Sequence, residues 1–107
     1  MPHRLKFELI FAPETLDHLD AIERKSHRLI QTTIDEQLCY TPERETRNRK
    51  PVEQPAPFEA TWELRFGPHN RFRVFYEVDN EERTVQVLAI GIKEGNRLLI
   101  GGEEFEL

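Results

Sequence analysis

Two arginines, Arg65 and Arg73, are the residues of this sequence best placed for chemistry. Residues 62–78 alternate apolar and polar side chains, which predicts two antiparallel strands joined by a turn. With residues 67–71 in the turn, one face of the pair is continuously apolar, and the two arginines lie directly opposite each other on the polar face. Like charges are unfavourable in that position. Either neighbouring carboxylates neutralise them, or an anionic partner does.

The chemistry that such an arginine pair favours is phosphoryl chemistry without a metal. Guanidinium and ammonium groups can stabilise a pentavalent phosphorane and its leaving group electrostatically. Arg71 lies in the predicted turn and Lys93 directly follows a later strand, so both are candidates to join the pair. Glu63 or Glu77, on the same face, could accept a proton. The alternative is an exposed sheet face covered by weak ion pairs.

Other catalytic chemistries find little support in the residue types present. The four histidines show no metal-ligand spacing, and no glycine-rich phosphate loop occurs. Cys39 is the only cysteine, which excludes an intrachain disulfide, and Ser26 is the only serine. We therefore expect neither a metal nor a cofactor.

Residues 41–59 carry a second set of basic side chains. Four prolines in this span preclude a regular helix or a central strand, so we expect a connector that wraps back to the sheet. A solvated loop is the ordinary explanation for its basic residues, and contact with phosphate groups is the alternative. On that alternative, the RNA-binding residues would be Arg47, Arg49 and Lys50 of this span, together with Arg71 and Arg97 later in the chain.

The periodicity of the rest of the chain predicts an α+β fold. Alternation or helical spacing indicates, in order, a strand at 4–11, helices at about 13–23 and 25–39, the strand pair at 62–78, a strand at 84–92 and a short apolar run at 98–100. We expect the N-terminal strand and the two-helix hairpin to pack on one face of a mainly antiparallel sheet. The other face would be partly open and would display Arg65 and Arg73.

Size and composition limit the possible classes of protein. A chain of 107 residues, 37% hydrophobic and 33% charged, fits one globular domain over residues 1–107. It shows no signal-peptide pattern and no apolar run of about 20 residues, so we expect a cytoplasmic protein without membrane contact. The net charge of −5 argues against a general nucleic-acid binder, although a local basic surface is compatible with it.

The second half of the chain resembles a known family. The segment NRFRVFYEVD, followed by VLAIGIKEGNR and preceded by WELRF, is similar to the C-terminal half of toxins of the RelE/ParE superfamily. The predicted first strand and helix pair fit the family order as well. The resemblance implies a toxin of a type II toxin–antitoxin system. Its ribonuclease members cleave mRNA in the ribosomal A site with basic residues and no metal.

The resemblance also implies roles for individual residues. Arg73 and Lys93 would hold the scissile phosphate, and Arg65 would stabilise the developing charge. Glu63 or Glu77, as the carboxylates on the same face, would assist attack by the 2′-hydroxyl, which gives a cyclic phosphate; in the family, the position of Glu63 is usually a lysine or another polar residue. The implied partners are a cognate antitoxin, the ribosome and mRNA, with the oligomeric state set by the antitoxin.

Two features of the sequence depart from the ribonuclease members. Leu98 and Leu99 occupy the region where those members commonly carry a tyrosine or histidine, and the chain is acidic where they are usually basic. ParE-like members share the fold, lack the nuclease residues and poison DNA gyrase. A ribosome-dependent endoribonuclease is therefore the first expectation. A non-nuclease member, either a gyrase poison or an inactive antitoxin-binding domain, is the alternative.

Overall fold

Seven strands and two helices form the part of the chain that the computed structural model describes, residues 6–106. The strands are β1 (Glu8–Phe11), β2 (Arg49–Pro51), β3 (Trp62–Phe66), β4 (Phe72–Asp79), β5 (Thr84–Glu94), β6 (Arg97–Ile100) and β7 (Glu103–Phe105). The helices are α1 (Thr15–Asp20) and α2 (His27–Leu38). Within these residues, no helix is both long and apolar enough to cross a membrane.

The strands form one mainly antiparallel sheet in the order β2-β3-β4-β5-β6-β7. The exception is β1, which pairs in parallel with the first half of β5, on the edge whose second half pairs with β6. The predicted fold class is confirmed. So is the predicted register of the β3–β4 hairpin, in which Arg65 lies opposite Arg73 and Phe66 opposite Phe72.

Several element boundaries differ from the sequence prediction. The first helix is shorter than 13–23, because Glu23 adopts an extended backbone (ψ 131°) and a separate single turn follows at Arg24–Ser26. The connector contains the short strand β2, whose Pro51 is tolerated because β2 lies at the edge of the sheet. The acidic residues near the C-terminus, for which the sequence analysis predicted no strand, form β7. Residues 4 and 5 of the predicted first strand lie outside the described residues.

A bulge in β5 explains why apolar residues occupy both odd and even positions of this strand. Tyr76 pairs with Val87 and Phe75 pairs with Ala89, so Leu88 is an extra residue on β5. The strand therefore changes phase at Leu88. Apolar residues at odd positions before the bulge and at even positions after it point into the same core.

The sheet has a hydrophobic cluster on each face. The larger one lies under the helices and includes Ile30, Ile34, Leu64, Val74 and Tyr76, all nearly inaccessible to solvent. The smaller one, on the opposite face, contains Ala60, Phe75, Ala89, Leu98 and Ile100, with Phe105 of β7 packed against it. Burial of apolar surface on both faces leaves less of the sheet open than the sequence predicted.

The imidazole of His18 fills a gap in the sheet between β1 and β6. At the end of β1, the Ala12 N–H still donates to Val87 O (2.9 Å), but no strand among the described residues lies beside the next part of this edge of β5. There the Ile90 N–H donates to Nδ1 of His18 (3.2 Å). The ring also contacts Phe58 edge-on, at 5.3 Å between centroids. His18 thus ties α1 to the centre of the sheet.

The role of His18 as an acceptor predicts a stability that depends on pH. Burial lowers the pKa of His18 below its ordinary value of about 6.5, and Glu14 and Asp17 oppose this shift only in part. Below about pH 6.5 the unfolded chain therefore binds more protons than the folded one. The contribution of His18 to the free energy of unfolding should be complete above that pH and should decrease as the pH falls below it. Urea unfolding at pH 7.5 and pH 5 measures this.

His18→Asn is the matched control, because the amide oxygen can accept the Ile90 N–H and does not titrate. We expect the variant to lose less stability between these two pH values than the wild type. An identical loss in both proteins would contradict the assignment.

Candidate functional site

A cleft of about 440 Å³ lies on the polar face of the β3–β4 hairpin. Glu63, Arg65 and Arg73 line it, and Phe75 adds an apolar surface. The proline-containing segment 50–57 of the connector also lines the cleft. The side chains with the strongest chemical signal in the sequence therefore meet in one concave site.

The carboxylate of Glu63 is held between the two arginines. Its Oε1 accepts a hydrogen bond from Nε of Arg65 (2.8 Å), and its Oε2 accepts one from Nη1 of Arg73 (3.2 Å). The side chains of Glu63 and Arg73 are only 7% and 6% exposed, whereas that of Arg65 is 40% exposed. One buried carboxylate thus offsets the repulsion that the facing arginines would otherwise feel.

Further hydrogen bonds hold the guanidinium of Arg73 and the backbone of Arg65 in place. The carbonyl of Asn70, in the turn, accepts a hydrogen bond from Nε of Arg73 (2.8 Å). In that turn His69 and Asn70 adopt left-handed backbone conformations, with φ of 56° and 53°. Next to β2, Asn48 binds the backbone of Arg65 twice, through its side-chain amide and through its carbonyl, both at 2.8 Å.

Within the described part of the chain, the ionisable groups that line the cleft balance in charge. The cations are Lys50, Arg65 and Arg73, and the anions are Glu53, Glu63 and Glu106. Three positive charges against three negative ones give no net attraction for a polyanion. Among residues 6–106, those lining the cleft include no tyrosine, histidine, serine or cysteine, so carboxylates are the only side chains of this set able to accept a proton at neutral pH.

Comparison with known proteins identifies the family. The model of the ParE toxin family of type II toxin–antitoxin systems, parDE, matches residues 9–96. The chain belongs to this family. The predicted membership of the RelE/ParE superfamily is confirmed, and the partner of such a toxin is an antitoxin protein.

The fold of this toxin is similar to a solved structure. A chain in the crystal structure of the RelBE2 toxin–antitoxin complex from Mycobacterium tuberculosis matches it with a TM-score of 0.64 and 19% sequence identity. The match covers 82% of this toxin and 99% of that chain. At this identity the likeness shows the fold. No curated protein sequence matches the toxin.

The toxin brings the predicted catalytic residues together only in part. Glu77 lies on β4 four residues from Arg73, about 13 Å along an extended strand, and lines a different surface next to Asp79. Lys93 is half-buried opposite Leu98 and does not line the cleft. The expectation that the sheet displays Arg73 is wrong, because Glu63 and the segment 50–57 enclose its side chain.

Of the predicted RNA contacts, Arg49 is buried and has a structural role. Its Nη1 donates to the carbonyls of Gln37 and Thr41, both at 2.6 Å, at the carbonyl end of α2. A positive charge is favourable at that end of a helix, although burial lowers the pKa of Arg49. The structure therefore does not offer Arg49 to RNA.

The other four predicted RNA contacts lie nearer to solvent. Arg47 and Lys50 are exposed, and Lys50 lines the cleft. Arg71 lies over the ring of Phe72, 5.3 Å from its centroid. Arg97 is exposed and pairs with Glu104 at 2.7 Å.

Sequence reasoning missed the buried polar contacts that hold the connector in place. The hydroxyl of Tyr76 donates to the carbonyl of Pro42 (2.6 Å), and burial raises the pKa of this phenol. Tyr76, Arg49 and Asn48 contact partners 34, 12 and 17 residues away in the chain. No local pattern encodes such distances, so only the alternation that placed Tyr76 on the core face was available as a signal.

The asymmetry of the two ion pairs predicts different costs for removing them. Glu63→Gln leaves the buried Arg73 without its counterion and should lower the free energy of unfolding by about 3 kcal/mol. Arg65→Gln removes a pair that solvent partly screens and should cost at most about 1 kcal/mol. Urea unfolding of both variants beside the wild type measures the difference. Equal losses would show that Glu63 is not the dominant counterion of Arg73.

Proposed function

We propose that this toxin acts by binding a protein target and does not cleave mRNA. The observation that carries the proposal is the position of Glu63, whose carboxylate already occupies the arginine pair. An RNA phosphate would have to displace this buried carboxylate or bind beside it. Either event brings a second negative charge next to the first, which is unfavourable.

The surroundings of the cleft support the same proposal. With three cations and three carboxylates it lacks the excess positive charge on which phosphate binding depends. The whole chain, at −5, adds repulsion toward a polyanion. Lys93, which would have held the phosphate together with Arg73, does not line the cleft.

The family match favours a class of target. The ParE family model covers residues 9–96, which include the helices, the hairpin and β5. The ParE-like members of the superfamily poison DNA gyrase. DNA gyrase is therefore the target that we propose, with a protein surface as the recognition element and no bond broken by the toxin itself.

The ribosome-dependent endoribonuclease is the second candidate. Arg65 is 40% exposed and uses only its Nε to bind Glu63, so its terminal nitrogens remain open to the cleft. Lys50 lines the same cleft and lies opposite Glu63 in the strand pairing. These two cations are the feature that favours phosphate contact, and they allow a direct test.

Inducible expression without antitoxin separates the two functions. We expect the wild type to arrest growth, to leave ribosome-bound mRNA intact by primer extension and to induce the DNA-damage response. The double variant Lys50→Gln/Arg65→Gln should be as toxic as the wild type, because a binding toxin does not need these cleft cations. Purified toxin should also inhibit supercoiling by DNA gyrase.

Arg24→Gln/Lys25→Gln provides the control for two lost positive charges, since both side chains are exposed in the single turn between α1 and α2 and do not line the cleft. Cleavage of mRNA by the wild type and by this control, together with its loss in the Lys50→Gln/Arg65→Gln variant, would overturn the proposal in favour of the endoribonuclease. Growth arrest with neither mRNA cleavage nor gyrase inhibition would refute gyrase as the target.

A further inference from the structure

An aromatic patch, formed by Phe58 and Phe105, lies where the connector, α1 and β7 meet. Phe58, in the turn Pro57–Glu59, contacts the imidazole of His18 at 5.3 Å and the ring of Phe105 at 5.7 Å between centroids. Phe58 is 38% exposed and Phe105 is half-buried. We infer that this patch docks onto a basic face of DNA gyrase. The inference rests on the proposed function and locates the surface that performs it.

The backbone of Phe58 is one that a large side chain disfavours. Its φ of 56° and ψ of 24° are left-handed, and the next residue, Glu59, has a φ of 58°. Glycine and asparagine adopt this conformation at lower cost, and bulky residues rarely do. Strained backbone of this kind is typical of sites that bind ligands or partners. A ring that is both strained and more than a third exposed contributes less to the fold than its size allows, which favours a role in binding.

The loop that carries Phe58 is held firmly at its base. The N–H of Val52 donates to Thr61 O (3.0 Å), and the side-chain amide of Gln54 donates to Ala60 O (2.8 Å). Ala60 itself is completely buried in the smaller hydrophobic cluster. An exposed aromatic side chain on a fixed support loses little conformational freedom when it binds, which is the property of an anchor residue at a protein interface.

The turn between β6 and β7 borders the aromatic patch. Gly101, in this turn, approaches α1 so closely that a Cβ atom added there would lie 3.3 Å from the imidazole of His18. On β7, Glu103 and Phe105 are two residues apart and therefore lie on the same face. The patch thus has α1 and β7 as neighbours, and the charges of these elements form its border.

The charged side chains of this border are acidic. The turn that carries Phe58, the helix α1 with its N-cap, and the strand β7 contain no lysine or arginine. Their exposed carboxylates include Glu14, Asp17, Glu59 and Glu103. Glu14 and Asp17 are close enough to His18 to affect its pKa. An apolar centre inside an acidic border is complementary to a protein surface that carries lysine and arginine around an apolar recess.

Charge favours a DNA-handling enzyme as the occupant of the patch. An enzyme that holds duplex DNA presents clustered lysine and arginine to the phosphates, so DNA gyrase carries a face of the required sign. The net charge of −5, which opposes contact with RNA, attracts the toxin to such a face. A second copy of the toxin would bring the same acidic border against itself and be repelled.

Replacing the exposed ring tests the inference. Phe58→Asn removes the aromatic side chain and supplies a residue that tolerates left-handed backbone, so the fold should survive, as a thermal melt verifies. We expect its Kd for purified DNA gyrase, and the concentration that half-inhibits supercoiling, to rise at least about tenfold. Tyr40→Asn is the matched control, because Tyr40 is an aromatic residue of similar exposure, 45%, that lies just after α2. This variant should inhibit gyrase as the wild type does.

The acidic border supplies a second measurement. Asp17→Asn/Glu59→Gln removes two exposed carboxylates beside the patch and should weaken gyrase binding and make its Kd less dependent on salt. Glu81→Gln/Glu82→Gln removes the same charge from the turn between β4 and β5 and is the matched control. We expect this control to keep the affinity and the salt dependence of the wild type within about twofold.

Three results would overturn the inference and leave the proposed function intact. The first is gyrase inhibition by a folded Phe58→Asn variant equal to that of the wild type. The second is normal gyrase inhibition by this variant with loss of antitoxin binding, which would assign the patch to the antitoxin. The third is normal inhibition with loss of a self-association seen in the wild type, which would assign it to a second copy. Absence of gyrase inhibition by the wild type would refute the proposed function, and this inference with it.

Discussion

The buried carboxylate of Glu63 is the interaction on which the hairpin and its cleft depend. The apolar faces of β3 and β4 fix the register, and this register forces Arg65 and Arg73 opposite each other. Without a counterion that arrangement would be repulsive. Glu63 makes it stable by accepting a hydrogen bond from each guanidinium. The same contact neutralises one of the two positive charges that phosphoryl chemistry would use, so stability and chemistry compete for one pair of side chains.

The strand β5 is the second organising feature, because two elements far apart in the sequence share one of its edges. The first half of this edge pairs with β1 and the second half with β6. His18 supplies the acceptor in the interval between them. β1 occupies only part of this edge, and among residues 6–106 no strand pairs with its own outer side. The polar cleft and the free strand edge are thus separate surfaces.

The fold could be predicted from the sequence where local periodicity carries the information. Alternation placed the hairpin with its register, and helical spacing placed both helices approximately. The burial of Arg73 could not be predicted, because it depends on a connector whose irregular path is set by contacts such as that of Tyr76 with Pro42. Arg49 looked like one more basic loop residue, yet it binds the end of α2 through carbonyls 8 and 12 residues away. Glu63 was one of two carboxylates that the sequence placed on the same face as the arginines. Its hydrogen bonds with both guanidinium groups could not be predicted.

The extra residue Leu88 affects how the sequence of this toxin must be aligned with those of its relatives. It shifts the inward-facing positions of β5 by one, so that Val87 and Ile90 point into the same core although they are three residues apart. A relative with a regular strand here would have one residue fewer. Its inward-facing residues would correspond to those of this toxin on both sides of the bulge only if an alignment opened a one-residue gap at position 88. Comparisons that forbid short gaps inside strands would therefore align inward-facing residues with outward-facing ones on one side of the bulge.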